Sequence, residues 1–287
     1  VSQPGNASRL LNSLNMQLAG VRQQHELKVT ADTGLTTFSR QRPIKAQLAM
    51  KGGVRNIDRG QETTQAWVGV LSALKLEGMW SPARSFVLQQ AAPLVLSPAL
   101  VEVTNLSIQG EDSSLIANRI LQIKGKEIRI EGEMPKFSFP RLSPILRKQM
   151  TVEPKDLVVR LDWDYKANPD SMDGHVELKH VSGGFRVLED AEMDVDVQSF
   201  DLKADFNRQA AKLQALVDAK NFGQLTANAT LPVDQNPDTK AWRVSPYRAM
   251  EGAVALSVSD LTWVGPLVQS GLRTTGNSQL AVALSGS

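Results

Sequence analysis

Three histidines, His25, His175 and His180, are the side chains in this sequence best suited to binding a metal or moving a proton near neutral pH. Their spacing argues against both. His175 and His180 lie five residues apart, so on an extended strand they point to opposite faces and cannot share an ion. The chain holds no cysteine to complete a site, and the histidines read as surface residues. A denser acidic set, Glu192, Asp194, Asp196, Asp201 and Asp205, has the composition of a calcium or acid–base centre. Each of these carboxylates alternates with an apolar neighbour, so they form the wet face of strands whose other face is greasy. Asn168 to Gly174 is acidic and turn-like but lacks the D-x-D-x-D-G spacing and the distal Glu of a calcium loop. No G-x-S-x-G, phosphate loop, H-E-x-x-H or G-x-G-x-x-G occurs. The basic groups at Arg40, Arg42, Arg147 and Lys148 have no interleaved aromatics and read as solvated surface. The expectation is a protein that is not an enzyme and that carries neither cofactor nor metal.

What positions these side chains is a repeated strand. In Leu157 to Tyr165 the odd positions are Leu157, Val159, Leu161, Trp163 and Tyr165, and the even ones include Arg160, Asp162 and Asp164. Successive strand side chains point to opposite faces, so this stretch has one apolar and one charged face. At helical spacing the same residues would scatter apolar groups all round. The pattern recurs at Leu27, Val29 and Ala31, at Ile44, Ala46, Leu48 and Met50, and at Met193, Val195 and Val197. It continues at Phe200, Leu202, Ala204 and Phe206, from Leu225 to Leu231, at Val254, Leu256 and Val258, and from Leu280 to Leu284. Ala66, Val68, Val70, Leu74 and Leu76 read as one face of a further strand.

The phase of alternation changes by one residue between Val103 and Leu106 and again at Ser199, which requires a bulge or turn at each place. Lys124-Gly125-Lys126 reads as a hairpin turn. Ser143-Pro144 reads as an N-cap followed by proline at the first helical position, predicting a short amphipathic helix near 143–150. Asn6 to Leu11 reads as a short polar helix or turn, and Asp260 to Leu267 as a short turn or helix at a groove edge.

Composition sets the frame. Hydrophobic residues at 41% and charged residues at 22% are globular values, while aromatics at 5% are lean. A formal charge of +2 creates no net field that calls for nucleic acid or an acidic ligand. No run approaches the roughly 20 apolar residues of a membrane helix. The chain opens on Val1 without a leader and ends just after an alternating run, so the expectation is a piece of a longer protein.

On the order of 18 to 20 strands at 8–12-residue spacing make the chain all-β. Open sheets rarely exceed about 10 strands without curling, splitting or closing. The apolar face must also be hidden or serve as a binding surface. The solutions are two packed sheets, a closed barrel, or a long curled antiparallel or mixed sheet whose apolar face lines a groove. Many inward positions are alanine (31, 46, 66, 191, 204, 215, 227 and 229). Small linings leave free volume along a trough, or they pack against larger residues of a facing sheet in a β-sandwich. Residues 1–60 read as an N-terminal β segment and 61–287 as one continuous curled sheet.

Longer words narrow this choice. Phe222 to Leu231 leads to Trp242-Arg-Val-Ser245, then Met250 to Leu256, Asp260 to Leu267 and Gly276 to Gly286. Together with Trp67 to Gly78, Ala92 to Leu96, Leu161 to Asp164 and Met172 to Leu178, these resemble the middle-to-late portion of the TamB family. TamB is the inner-membrane component of the translocation and assembly module and a relative of AsmA. The resemblance implies a periplasmic segment of a protein anchored in the inner membrane of a Gram-negative bacterium. It implies a curled sheet, or β-taco, with an apolar concave face that carries phospholipid acyl chains or shields unfolded outer-membrane protein strands. It also implies an Omp85-class outer-membrane partner, met through parts of the parent chain not present here. The residues expected to line the groove are Leu157, Val159, Leu161, Trp163, Tyr165, Met193, Val195, Val197, Phe200, Leu202, Phe206, Leu225, Leu231, Val254, Leu256 and Val258. The competing reading is a dry β-sandwich used in adhesion or scaffolding.

Overall fold

The structure, a computed structural model, describes residues 12–32, 44–59, 62–78, 85–139, 152–188, 193–220, 222–237, 241–245, 247–262 and 273–286. The helix expected near 143–150 and the helix or turn at 6–11 lie outside the described residues, as does most of 260–267. Within 260–262 the Thr262 amide donates to Asp260 Oδ1 at 2.9 Å, a turn closed by its own side chain.

The described residues contain no helix. Eighteen strands build an antiparallel sheet, and the chain divides into two compact units, Val1–Gln122 and Ile123–Ser287. The first holds β1 (Ser13–Val21), β2 (Gln24–Asp32), β3 (Lys45–Arg59), β4 (Glu62–Glu77), β5 (Ser85–Leu88), β6 (Ala92–Ser97), β7 (Leu100–Gly110) and β8 (Ser113–Ile123). β1 to β4 pair in chain order, and β4 pairs with both β5 and β6, which in turn both pair with β7. β5 and β6 are therefore two halves of one interrupted strand.

The second unit holds β9 (Glu127–Ser138), β10 (Val152–Ala167), β11 (Met172–Val187), β12 (Met193–Val195), β13 (Val197–Asn207), β14 (Ala210–Ala219), β15 (Gly223–Gln235), β16 (Trp242–Val244), β17 (Met250–Val258) and β18 (Ser278–Gly286). Again neighbours in sequence are neighbours in the sheet, with β12 and β16 as short appendages on β11 and β15.

Bulges keep the apolar side chains on one face. Asn105 adopts a φ of 53°, a left-handed conformation that asparagine tolerates, at the place where alternation shifts between Val103 and Leu106. The β13–β14 register slips between Val197 and Ser199, which brings Val197 and Phe200 to the same side. A third slip lies in β9, between the partners of Val159 and Leu161, and there Pro135 sits where no ladder donor is needed.

One expectation is overturned. The β3–β4 register shifts at Ser72, so Leu74 and Leu76 share a face with Leu71, Gly69 and Trp67, not with Ala66, Val68 and Val70. Ser72 Oγ donates to the Ala49 carbonyl at 3.2 Å, which ties down the extra residue.

Among the described residues no large side chain is fully buried, as expected of strands that lie in one layer without a second sheet on their apolar side.

Candidate functional site

The strand registers stack apolar side chains into rows that cross the second unit at right angles to its strands. One row runs Met134, Leu161, Leu178, Leu202, Ala215, Ala227, Val254, Val282, each residue directly opposite the next. The adjacent row reads Gly132, Trp163, Val176, Ala204, Leu213, Ala229, Gly252, Leu284 by the same pairings. On the other side lie Val159, opposite Phe137 and His180, and then Phe200, Val217, Leu225, Leu256 and Leu280.

All the residues expected to line a groove stand on this face. Leu157 to Tyr165 come from β10, Met193 and Val195 from β12, Val197 to Phe206 from β13, Leu225 and Leu231 from β15, and Val254 to Val258 from β17. Met134, Val176, Leu178, Leu213, Val217 and Val282 belong to the same rows and were missing from that expectation. The alternation within their own strands carries the signal that would have found them.

Two packed clusters border the rows. Leu157, Val159, Val197 and Phe200 are buried together, with Phe137, Leu178, Phe185, Val195 and Val217 against them. Near the opposite strand ends Ala167, Met172, Ala211 and Val233 form a second cluster with Tyr165, Phe206, Leu231 and Trp242. Between them the face stays accessible: Leu202 and Leu213 are each 37% exposed, and Leu280 on β18 is 56% exposed. The floor of that strip is small, because Ala204, Ala215, Ala227, Ala229 and Gly252 meet there.

The sheet bends toward this face at one place. Gln235 Nε2 donates to the Pro169 carbonyl at 2.7 Å and Trp242 Nε1 to the Asn168 carbonyl at 3.2 Å. The β10–β11 turn and the β15–β16 hairpin thus meet above the shorter β13–β14 hairpin.

The opposite face is charged and paired. Glu177 accepts from Lys179 at 2.7 Å and from Lys203 at 3.1 Å, and the hydrogen bond from Lys179 is the main reason its carboxyl titrates below the usual range. Arg160 bridges Asp162 at 2.8 Å and Glu133 at 3.0 Å. The Arg186 guanidinium and the Lys155 ammonium beside Asp194 hold its carboxyl down to about 2. Of the acidic residues noted from sequence, Asp194 pairs across strands with Arg186 and Lys155, Asp205 meets His175, Asp201 pairs with Lys203 on its own strand, and Glu192 lies outside the described residues. No cluster of metal-ligating side chains occurs among the described residues.

His175 and His180 do face opposite sides. His175 Nδ1 meets Asp205 Oδ1 at 2.8 Å on the charged face, while His180 lies on the apolar face, its ring 5.5 Å from that of Phe200 and its Nε2 2.8 Å from the Gly183 carbonyl. His180 is thus not the simple surface residue its spacing suggested.

The first unit repeats the plan. Leu18, Leu27, Met50, Leu71 and Ala92 form one row, and Met16, Val29, Leu48 and Leu74 another. Beside them Gly52 stands opposite Gly69, and the Trp67 indole lies over both, so a Cβ on either would come within 2.8 Å of the ring. Trp67 Nε1 donates to His25 Nε2 at 2.9 Å.

The second unit thus presents a continuous apolar face backed by an ion-paired one, an arrangement suited to holding an apolar guest. No curated protein and no solved structure matches the chain significantly. One family model does, that of TamB, N-terminal domain, and it covers residues 3–287. The match corrects the expectation of a middle-to-late segment: the words shared with the family lie in its N-terminal domain. With nearly every residue inside that match, the chain belongs to the TamB family.

Proposed function

We propose that this chain is a periplasmic segment of a TamB-related bridge that carries phospholipid between the inner and outer membranes, with acyl chains lying on its apolar face. The observation that supports this most is the unbroken row from Met134 to Val282, accessible at Leu202 and again at Val282. Moving a buried CH₂ out of water gains about 0.8 kcal/mol, so a continuous apolar strip lowers the barrier to crossing an aqueous gap. The charged face, held in ion pairs, stays in solvent. In this reading the parent protein is anchored in the inner membrane and reaches an Omp85-class partner through residues outside this chain.

A second cargo fits the strand edge better than the face. β18 is exposed along its whole length, carries no charge or proline, and pairs on one side with β17. Such an edge can accept an unfolded outer-membrane strand by β-augmentation. A dry adhesion or scaffolding sandwich is disfavoured, because the exposure of Leu202, Leu213 and Leu280 leaves those residues without a facing layer.

Mass spectrometry of an organic extract of the purified chain tests the reading. Co-purified phospholipid supports it, and an extract free of lipid contradicts it.

A further inference from the structure

Two polar groups on the apolar face have no hydrogen-bond partner among the described residues. Trp67 and Trp242 each donate their indole N–H, to His25 Nε2 at 2.9 Å and to the Asn168 carbonyl at 3.2 Å. Trp163 Nε1 and the Tyr165 hydroxyl donate to no described residue. The two stand at alternate positions of β10, so both reach the same face.

A glycine stands opposite each ring. Trp163 lies opposite Gly132, and Tyr165 lies opposite Gly174, where a Cβ would come within 2.8 Å of the Tyr165 ring. Elsewhere the same face uses Phe137, Phe200 and Phe206, which offer ring area without a polar tip. Burial already disfavours the charged form of the Tyr165 hydroxyl and pushes its pKa up. While the strip is open, water can satisfy the two donors. A hydrocarbon chain laid over them removes that water and leaves them unpaired unless the ligand brings an acceptor. Tryptophan and tyrosine serve at membrane surfaces for the same reason, with an apolar body and a wet tip.

The geometry points to Trp163 and Tyr165 as the place where the ester carbonyls of a bound glycerolipid sit, with its acyl chains over the neighbouring alanine-lined rows. This rests on the lipid-carrying reading and fixes where the polar–apolar boundary of the lipid lies.

The test compares a fluorescent diester phosphatidylcholine with its diether analogue of the same chain length, which lacks the carbonyls, in equilibrium binding to the whole chain. The wild type is expected to bind the diester about tenfold more tightly, as two modest hydrogen bonds allow. W163F/Y165F is expected to lose that tenfold for the diester and nothing beyond its lost ring area for the diether. If the double variant fails to fold by circular dichroism, W163F and Y165F singly should each lose about threefold on the same scale. Equal wild-type affinity for the two lipids, or equal losses in the variant, overturns the inference and leaves lipid carriage standing. Binding of neither lipid overturns both. An extended apolar peptide weakened by W163F/Y165F as much as the diester would assign the donors to peptide carbonyls and likewise overturn the inference.

Discussion

Gln235 donates to the Pro169 carbonyl at 2.7 Å, although the two residues stand on hairpins three strand steps apart. In a flat sheet that separation is about 14 Å. The sheet closes it by bending toward its apolar side, and Trp242 packs there against the cluster of Ala167, Met172, Ala211 and Val233. Curvature in this part of the second unit is therefore held by specific bonds as well as by strand twist.

Loosening that tie should be measurable. Gln235→Ala is expected to cost about 1 kcal/mol and Trp242→Ala about 2–4 kcal/mol in urea unfolding, the first from a lost hydrogen bond and the second from a cavity. Amide exchange at Ser171, whose N–H donates to Asn168 Oδ1 at 2.6 Å, should accelerate in both variants. Unchanged exchange would show that the turn is held by other means.

Charge on the apolar face should block transfer while the fold survives. Leu202→Asp and Ala227→Asp sit in the open strip, so they are expected to lower lipid transfer between vesicles at least tenfold while circular dichroism stays unchanged. Val195→Asp should act in the same direction, with an added stability cost because Val195 packs against the Leu157 cluster. Gln214→Asp, on the opposite side of β14, should leave transfer intact.

Much of this arrangement was legible in the sequence. Alternation from Val159 to Tyr165 is strict, and a period of two has one interpretation when one face is charged. The phase changes between Val103 and Leu106 and at Ser199 were visible because large apolar residues flank each slip. The shift at Ser72 was not, since Gly69 supplies no hydrophobic signal on the inward side and Val68 and Val70 supply a false one on the other. The contact between Gln235 and Pro169 could not be read either, because nothing local marks a bond across 66 residues. Nor could His180 on the apolar face, where the ring is accommodated by Phe200 and the Gly183 carbonyl.

The ion-paired face gives a pH prediction. Asp194 titrates near 2 in the folded chain because Arg186, first, and Lys155 stabilise its charge. Its folded value lies below the ordinary carboxylate value near 4, so its contribution to stability is complete above about pH 4 and is lost as pH falls toward 2. A carbon-detected carboxyl titration should show a midpoint near 2, and Arg186→Gln should move it upward. A midpoint already near 4 in the wild type would remove Asp194 from the pairing.

Gly69→Ala should be poorly tolerated. A Cβ there would lie 2.2 Å from the Lys51 carbonyl oxygen and 2.7 Å from the Trp67 ring. Displacing both is expected to cost on the order of 1–3 kcal/mol and to shift Trp67 fluorescence. Wild-type stability and spectrum in this variant would mean that the ring does not rest on the glycine pair.

The most direct measurement places a fluorescent label on single cysteines introduced into this cysteine-free chain. Labels at Leu202 and Ala227, on the apolar face, and at Gln214, on the charged face, are exposed to vesicles whose lipids carry a spin label within the acyl chain. Quenching at positions 202 and 227 with none at 214 is the predicted result. Equal quenching at all three positions, or none at any, would contradict an apolar face that receives acyl chains.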